Sequence, residues 1–173
     1  MLFRSQIVIG VVKGSHAFTD FLSRPFEIGD VPQVNAQFSH RYAAANALLR
    51  RDSLKEHFTD EFISDPRVQE LVRKVKQVEV FQPLVGVLPP VRVEIRIKDG
   101  KSYSMELHIP KGFPQRPLSK ETIVDKFRDN VAYSAKTSKV LLRERGEEIL
   151  ALVEHLEELD NVNQIVELIV ARD

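Results

Sequence analysis

The chain has 173 residues, of which 25 are Lys or Arg and 25 are Asp or Glu, so its formal net charge is zero. This balance argues against a dedicated nucleic-acid binder, and the absence of cysteine excludes a disulfide scaffold, a thiolate nucleophile and an iron–sulfur cluster. No apolar run approaches the roughly 20 residues that span a bilayer, so the sequence predicts a cytoplasmic protein with no membrane partner.

The first half of the chain is predicted to mix strands and helices. The β-branched, apolar run over 6–13 is typical of a buried strand. Pro25 and Gly29 interrupt the following stretch, which predicts a loop up to residue 31. Several Ala and Leu residues then predict one helix over 35–50, because these residue types favour helix strongly.

Shorter elements are predicted next along the chain. Asp52 and Ser53 are expected to cap a short helix that ends near Phe58, with another turn over 59–62. Asp65-Pro66 predicts the start of a further helix, because proline suits the first helical position.

A β-hairpin is the clearest local prediction. Residues 77–81 alternate like a strand, whereas 82–90 hold three prolines and a glycine and predict an irregular connection. Residues 91–97 alternate apolar and charged side chains, which predicts a half-buried strand. Asp99-Gly100 favours a hairpin turn, and 103–109 return as the partner strand.

The last third of the chain is predicted to be helical. Ser119 is expected to cap a helix that runs to about 135, followed by helices over about 138–159 and 162–171. We therefore predict an α+β fold. A small, mainly antiparallel sheet with helices occupies 6–110, and C-terminal helices occupy 111–173.

Two segments carry a resemblance to a known family. Residues 32–49 form a loop that enters a helix rich in small residues, and 111–119 form a proline-rich loop. The first segment fits the pattern Ala-x-Phe-Ser-x-x-Tyr-x-x-Ala-x-Ala-Leu-Leu at Ala36, Phe38, Ser39, Tyr42, Ala45, Ala47, Leu48 and Leu49. In these two blocks the chain resembles the C-terminal part of the MmgE/PrpD family, which includes 2-methylcitrate dehydratase, cis-aconitate decarboxylase and iminodisuccinate epimerase.

The resemblance implies a cofactor-independent lyase or isomerase that acts on a small di- or tricarboxylate. The reaction would remove a proton next to a carboxylate, followed by loss of water or carbon dioxide or by reprotonation. A role like that of 2-methylcitrate dehydratase, in propionate metabolism, is the commonest in the family, but decarboxylation and epimerisation stay open. The resemblance implies no cofactor, and it implies a homodimer. No metal site is predicted, because no two histidines have the spacing of a helical metal site.

Members of the family are much longer, which implies that this chain is a fragment. Residues 6–110 would be the lid lobe, and 111–173 would pack on a missing N-terminal helical domain from the same polypeptide or a separate subunit. Family catalytic residues would then lie upstream of Gln6, and the chain alone is expected to be inactive. Residues 1–5 do not match the family and are predicted to be non-native, with a genuine short gene as the alternative.

The candidate site residues lie at the start of the recognised helix. In the family this helix start borders the active-site cleft, which makes Tyr42 the candidate catalytic residue, as a hydrogen-bond partner or proton carrier. Ser39 and His40 are candidate substrate-binding residues, and the free N–H groups of a helix N-terminus suit a carboxylate. The alternative is that Ser39 is a plain helix cap and Tyr42 a core aromatic residue whose hydroxyl is satisfied within the protein.

A second function class stays open. The chain could be a stand-alone, non-catalytic α+β module that binds a partner through its helical tail, or one subunit of a split enzyme. The tail carries apolar residues that need a cover: Leu141, Leu142, Ile149, Leu152, Val153 and Leu156. A fragment should associate or be poorly soluble alone, whereas an evolved module should be a clean monomer or a symmetric dimer.

Overall fold

The computed structural model describes residues 4–12, 24–81, 90–137 and 143–170. The chain divides into two compact units, Met1–Pro110 and Lys111–Asp173. The first unit combines a sheet with helices and the second is helical, so the predicted α+β fold is confirmed. Within the described ranges, every helix is too short or too polar to cross a bilayer.

The sheet of the first unit has four strands in the order β2-β1-β3-β4. They are β1 (Arg4–Val12), β2 (Val75–Phe81), β3 (Val91–Ile97) and β4 (Ser102–Leu107). β1 is parallel to β2 and antiparallel to β3, and β3 is antiparallel to β4, so the sheet is mainly antiparallel as predicted. β1 is an inner strand, and its Ile7, Ile9 and Val11 lie in the apolar cluster on the sheet.

Strands β3 and β4 form the predicted hairpin. The Gly100 N–H donates to the Ile97 carbonyl at 3.1 Å, and the Ile97 N–H donates to the Lys101 carbonyl at 3.0 Å. Gly100 has a φ of 86°, a backbone conformation that glycine adopts without steric cost. The turn therefore follows directly from the Asp-Gly pair.

The predicted single helix over 35–50 is wrong, because the structure has two helices there. Helix α1 is Pro32–Gln37 and helix α2 is His40–Arg50. The break occurs at Ser39, whose extended backbone (φ −118°, ψ 113°) leaves its side chain free to cap α2. Helix propensity alone did not reveal the break, because the residues on both sides of it are helix formers.

The helix predicted to start at Asp65-Pro66 is confirmed. Helix α4 is Pro66–Lys74, and the Asp65 carboxylate accepts a hydrogen bond from the Arg67 N–H at 2.9 Å. It follows a short helix α3, Asp60–Ile63, in the place where a turn was predicted.

The predicted cap by Asp52 and Ser53 is wrong. A 3₁₀ turn, Lys55–Phe58, begins after Leu54, and the Leu54 N–H donates to the side chain of His57. The Asp52 carboxylate instead accepts from the adjacent Ser53 N–H at 2.7 Å. The sequence prediction therefore placed the start of this turn too early, at the polar pair instead of at Leu54.

The first unit has two apolar clusters that meet at helix α4. One lies among the helices and comprises Ala36, Tyr42, Ala45, Ile63, Val68 and Val72. The other lies on the sheet and comprises Ile7, Ile9, Val11 and Val75. Leu71 packs against both clusters, so α2 and α4 form a layer over one face of the sheet. This layer holds the N-terminus of α2, where the candidate residues lie.

The second unit is built from helices. They are α5 (Lys120–Thr137), α6 (Arg143–Glu154), a 3₁₀ turn (Leu156–Glu158) and α7 (Asn163–Ile169). The Ser119 hydroxyl accepts from the Thr122 N–H at 3.2 Å, as expected for the predicted cap. Val131 and Ile149 are buried where α5 and α6 meet, and Arg128 binds both carboxylate oxygens of Glu147 at 2.8 Å.

Some predictions fall outside the described residues. These are 13–23 at the end of the first predicted strand and in the loop after it, 82–89 of the predicted irregular connection, 138–142 at the start of the second tail helix, 171 at the end of the third, and 1–3 of the segment predicted to be non-native.

Candidate functional site

Ser39 lies at the break between α1 and α2. Its hydroxyl oxygen accepts a hydrogen bond from the Tyr42 N–H at 3.2 Å, and its carbonyl accepts from the Ala43 N–H at 2.9 Å. The side chain is almost fully buried. Ser39 is therefore the N-cap of α2, which is the structural role that the sequence left open.

Tyr42 lies inside the helical core of the first unit. Its ring packs between Phe26, with centroids 5.2 Å apart, and Phe58, at 5.6 Å. Its hydroxyl donates to the main-chain carbonyl of His57. Burial raises the pKa of the Tyr42 hydroxyl, and this effect is opposed by the nearby Arg50. The hydroxyl is therefore a neutral hydrogen-bond donor at neutral pH and does not act as a phenolate base.

His40 points to another side of α2. Two residues along a helix correspond to a turn of roughly 200°, so His40 and Tyr42 cannot share a face. Burial lowers the pKa of the His40 imidazole, and the side chain of Gln77 on β2 partly offsets this effect. Within the described residues, His40 Nδ1 is buried without a hydrogen-bond partner.

Arg41 follows His40 at the start of α2, and sequence analysis did not single it out. Its Nη1 donates to the Val75 carbonyl at 2.9 Å, which ties the start of α2 to the start of β2. Its Nε is also buried without a partner among the described residues. Buried polar atoms of this kind call for a structural or functional explanation. The only sequence signal was a basic residue inside the recognised motif.

A shallow pocket of about 180 Å³ opens beside the N-terminus of α2. It is lined by Arg24, Pro25, Phe26, Glu27, Asn35, Phe38 and Ser39. Tyr42 touches two of these residues, since its ring packs on Phe26 and its N–H binds Ser39. The structure therefore places Ser39 in the wall of the pocket and Tyr42 beneath it, and it directs His40 elsewhere.

A buried polar network extends from Tyr42 along α2. His57 Nδ1 accepts from the Leu54 N–H at 3.2 Å and lies 3.4 Å from Asn46 Nδ2. Asn46 Oδ1 accepts from Arg50 at 2.6 Å, and Arg50 also binds Asp65 at 3.2 Å.

The network joins α2, the 3₁₀ turn and the start of α4, and sequence reasoning missed it. Tyr42, Asn46 and Arg50 follow one another every four residues along α2, but His57 and Asp65 lie outside this helix, up to 23 positions from Tyr42, and no local pattern links them to it. Arg50 and Arg67 both bind the Asp65 carboxylate, and the hydrogen bond from Arg67 is the main cause of the lowered pKa of Asp65.

The described residues contain no cluster of His, Cys, Asp and Glu that could hold a metal ion.

Comparison with known proteins identifies the family. The model of the MmgE/PrpD C-terminal domain matches residues 26–153, which include Ser39, His40 and Tyr42. The chain belongs to the MmgE/PrpD family. The resemblance stated from the two sequence segments is therefore confirmed, and it extends over both units of the MmgE/PrpD chain.

Two curated relatives agree with this assignment. The chain is 28% identical to cis-aconitate decarboxylase of Mus musculus over 155 residues, and 27% identical to cis-aconitate decarboxylase of Homo sapiens over 154 residues. Each match covers 86% of this chain but 29% of the relative. The chain therefore spans less than a third of the length of these MmgE/PrpD proteins.

Proposed function

We propose that this chain is the C-terminal part of a lyase that acts on a small di- or tricarboxylate. The observation that carries the proposal is the family match over residues 26–153. Two relatives named for the decarboxylation of cis-aconitate support a tricarboxylate as the substrate class. Removal of a proton next to a carboxylate, with loss of carbon dioxide or water, is the chemistry that this substrate class requires.

Ser39 and the pocket beside it are the proposed place for a substrate carboxylate. The N-terminus of α2 favours negative charge, and the pocket adds the polar side chains of Arg24 and Asn35. His40 would contribute as a neutral imidazole, because its lowered pKa keeps it uncharged at neutral pH. Its side chain points away from this pocket, so it would bind a different part of the ligand or support Arg41.

Tyr42 is proposed to act as a proton donor. In the structure its hydroxyl proton is held by the His57 carbonyl and its side chain has no exposed surface. Its raised pKa keeps the hydroxyl protonated at neutral pH, so the hydroxyl offers a substrate a donor and not a base. To reach a substrate the hydroxyl would have to leave that carbonyl, which makes a rearrangement around 54–58 part of the proposal.

The first experiment is to sequence the gene upstream of codon 1 and to express any longer reading frame. The longer protein should release carbon dioxide from cis-aconitate or remove water from 2-methylcitrate, and the 173-residue chain alone should do neither. A purified longer protein that is folded and inactive on both compounds would contradict the proposed substrate class. If no upstream frame exists, activity should require a separately encoded helical subunit.

The role of Tyr42 is tested by Tyr42→Phe in the active protein, with Tyr133→Phe on α5 as the matched control. If the hydroxyl donates a proton, we expect kcat to fall by about a hundredfold or more. The KM should change little, and the control should keep its activity. Loss of thermal stability with an unchanged kcat would assign Tyr42 to the core alone.

The non-catalytic alternative keeps one supporting observation. The second unit exposes several large apolar side chains, as a partner-binding module would. They are Ile123, Val153, Leu156, Val162, Val166, Ile169 and Val170. A clean monomer of the 173-residue chain, with no upstream reading frame and no activity with any helical subunit, would favour this alternative.

A further inference from the structure

The 3₁₀ turn Lys55–Phe58 covers the side chain of Tyr42. The His57 carbonyl accepts the Tyr42 hydroxyl, and the Phe58 ring packs on the Tyr42 ring with centroids 5.6 Å apart. The main chain of Tyr42 is held separately, because its N–H donates to the Ser39 hydroxyl at 3.2 Å. A movement of the turn would therefore free the hydroxyl and leave the start of α2 in place.

The hydrogen bonds around His57 fix which of its ring nitrogens carries the proton. The Leu54 N–H can only donate, and it donates to Nδ1 at 3.2 Å. Arg50 has donors only, so the Asn46 oxygen must face Arg50 at 2.6 Å, and the Asn46 amide nitrogen then faces Nδ1 at 3.4 Å. Two N–H donors thus converge on Nδ1. The ring is therefore neutral in this arrangement, with its proton on Nε2.

A proton on Nδ1 of His57 is incompatible with this arrangement. It would place a third N–H against the N–H groups of Leu54 and Asn46. Reversal of the Asn46 amide does not remove the conflict, because its nitrogen would then face the donors of Arg50. His57 is 7% exposed and its ring stacks on Phe62 with centroids 5.4 Å apart, and a buried charge without a partner is costly. A charged ring must therefore move toward water, and the main-chain carbonyl of the same residue moves with it.

Charged groups of both signs lie around the His57 ring. From α2, the Arg50 guanidinium lies over the Phe62 ring at 4.9 Å, and the Asp65 carboxylate before α4 pairs with it at 3.2 Å. Helix α1, which also contacts the turn, carries no charged residue. Because Arg50 has its own counter-ion, the two N–H donors and the burial are what oppose a charged ring. The other charged residues in or next to the turn are Asp52, Lys55, Glu56, Asp60 and Glu61.

We propose that neutral His57 is a positioning residue for Tyr42, and that a second proton on its ring opens the 3₁₀ turn and releases the Tyr42 hydroxyl. Histidine is the side-chain type that commonly changes its charge between about pH 5 and 8, so a modest acidification supplies this proton from solvent. The rearrangement that the proposed function requires around 54–58 thereby has a physical cause. The consequence for catalysis rests on that proposed function, whereas the coupling of His57 to the turn does not.

Nuclear magnetic resonance of the isotope-labelled 173-residue chain tests the coupling directly. At neutral pH the ring nitrogen shifts of His57 should show a proton on Nε2 and none on Nδ1. On acidification from about pH 7.5 to about pH 5.5, the protection of the Leu54 N–H, corrected for intrinsic exchange, should fall at least about tenfold. The Tyr42 N–H should keep its protection. The ζ-carbon resonance of Tyr42 should shift over the same pH range, whereas those of Tyr103 and Tyr133 should not.

A variant that cannot take up the proton separates its effect from that of the fold. In His57→Asn, the asparagine oxygen would take the place of Nδ1 as an acceptor but does not titrate, so the Leu54 protection should become independent of pH. The matched control His108→Asn removes an exposed histidine that follows β4 and should keep the fall in protection. If His57→Asn does not fold, the ring nitrogens and the Leu54 N–H of the unmodified chain still decide the question.

Three results would overturn the proposal: a proton on Nδ1 of His57 at neutral pH, a Leu54 protection that acidification leaves unchanged, or an equal fall in His57→Asn. These measurements need no catalytic activity, so the coupling can fail while the proposed function stands, and the reverse also holds.

The consequence for catalysis is read from the pH profile of the longer, active protein. As the pH falls over the same range, kcat should rise by up to about tenfold per pH unit, the limit for one linked proton. The KM should change little, and His57→Asn should lose the rise while His108→Asn keeps it. Equal profiles for His57→Asn and the unmodified protein would overturn the positioning role of His57.

Discussion

The two units of the molecule bury their apolar residues to very different extents. In the first unit, helices lie over a sheet and enclose two clusters that include Ile7, Tyr42, Ile63 and Val68. In the second unit, the described buried apolar side chains are Val131 and Ile149, and the other large ones are half-buried or exposed. The first unit therefore has a core of its own, whereas the helices of the second are amphipathic elements without a second layer.

This difference indicates that the second unit depends on contacts from outside it to cover its apolar side chains. A two-layer unit gains stability from its own burial, but a set of helices that buries few apolar side chains gains little. The chain spans 29% of its curated relatives, so a cover for the second unit from the rest of a longer protein is consistent with the proposed function.

The largest expected effect is a difference in stability loss between matched substitutions in the two units. Ile63→Ala removes a fully buried side chain from the first unit and should lower its free energy of unfolding by about 2–5 kcal/mol. The matched change Ile123→Ala, at an exposed position of α5, should stay within about 0.5 kcal/mol. Urea denaturation, with hydrogen exchange read separately on peptides of each unit, measures both. Equal losses would show that Ile123 is covered, and the contrast between the units would fail.

The next effect concerns a close contact between α5 and α6 in the second unit. A Cβ added at Gly146 would lie 2.8 Å from Val131 Cγ1, and the β-branched Val131 has little freedom to move away. Gly146→Ala should therefore destabilise the α5–α6 pair by about 1–2 kcal/mol, although alanine is the better helix former. Hydrogen exchange of α6 peptides measures the loss. Val131→Ala combined with Gly146→Ala should recover part of it, and a simple sum of the two losses would show that the clash is absent.

The smallest effect is a pH dependence confined to the first unit. The hydrogen bond from Arg67 holds the pKa of Asp65 below its ordinary 3.8. Because the folded pKa is lowered, the stabilisation is fully present above the ordinary value and is lost as the pH falls through the folded value. Asp65→Asn should cost about 0.5–1.5 kcal/mol at pH 7 and flatten the acid limb of the stability curve.

The control for this prediction is Glu70→Gln. Its carboxylate has a lowered pKa through a hydrogen bond with Lys74, but it is exposed, so its loss should matter little. A steeper acid limb in Asp65→Asn than in the unmodified chain would contradict the sign of the linkage.

Local chemistry predicted those parts of the fold that depend on a few neighbouring residues. The Asp-Gly pair predicted the hairpin, and Asp65-Pro66 predicted the start of α4, because turn and cap geometries are set by the residues that form them. The break at Ser39 was missed because the helix formers on both sides of it outweigh one capping residue in any propensity argument. The parallel pairing of β1 with β2 was also out of reach, since it joins residues nearly 70 positions apart, such as Ile7 and Val75.

The sequence by itself determined the family, the α+β class and the segment that holds Ser39, His40 and Tyr42, because motif residues and alternation patterns are local properties. Only the tertiary structure decided what those three side chains touch. It buried the Tyr42 hydroxyl on the His57 carbonyl, made Ser39 a cap and turned His40 toward Gln77. Direction and burial depend on contacts between distant segments, and no pattern of neighbouring residues carries that information.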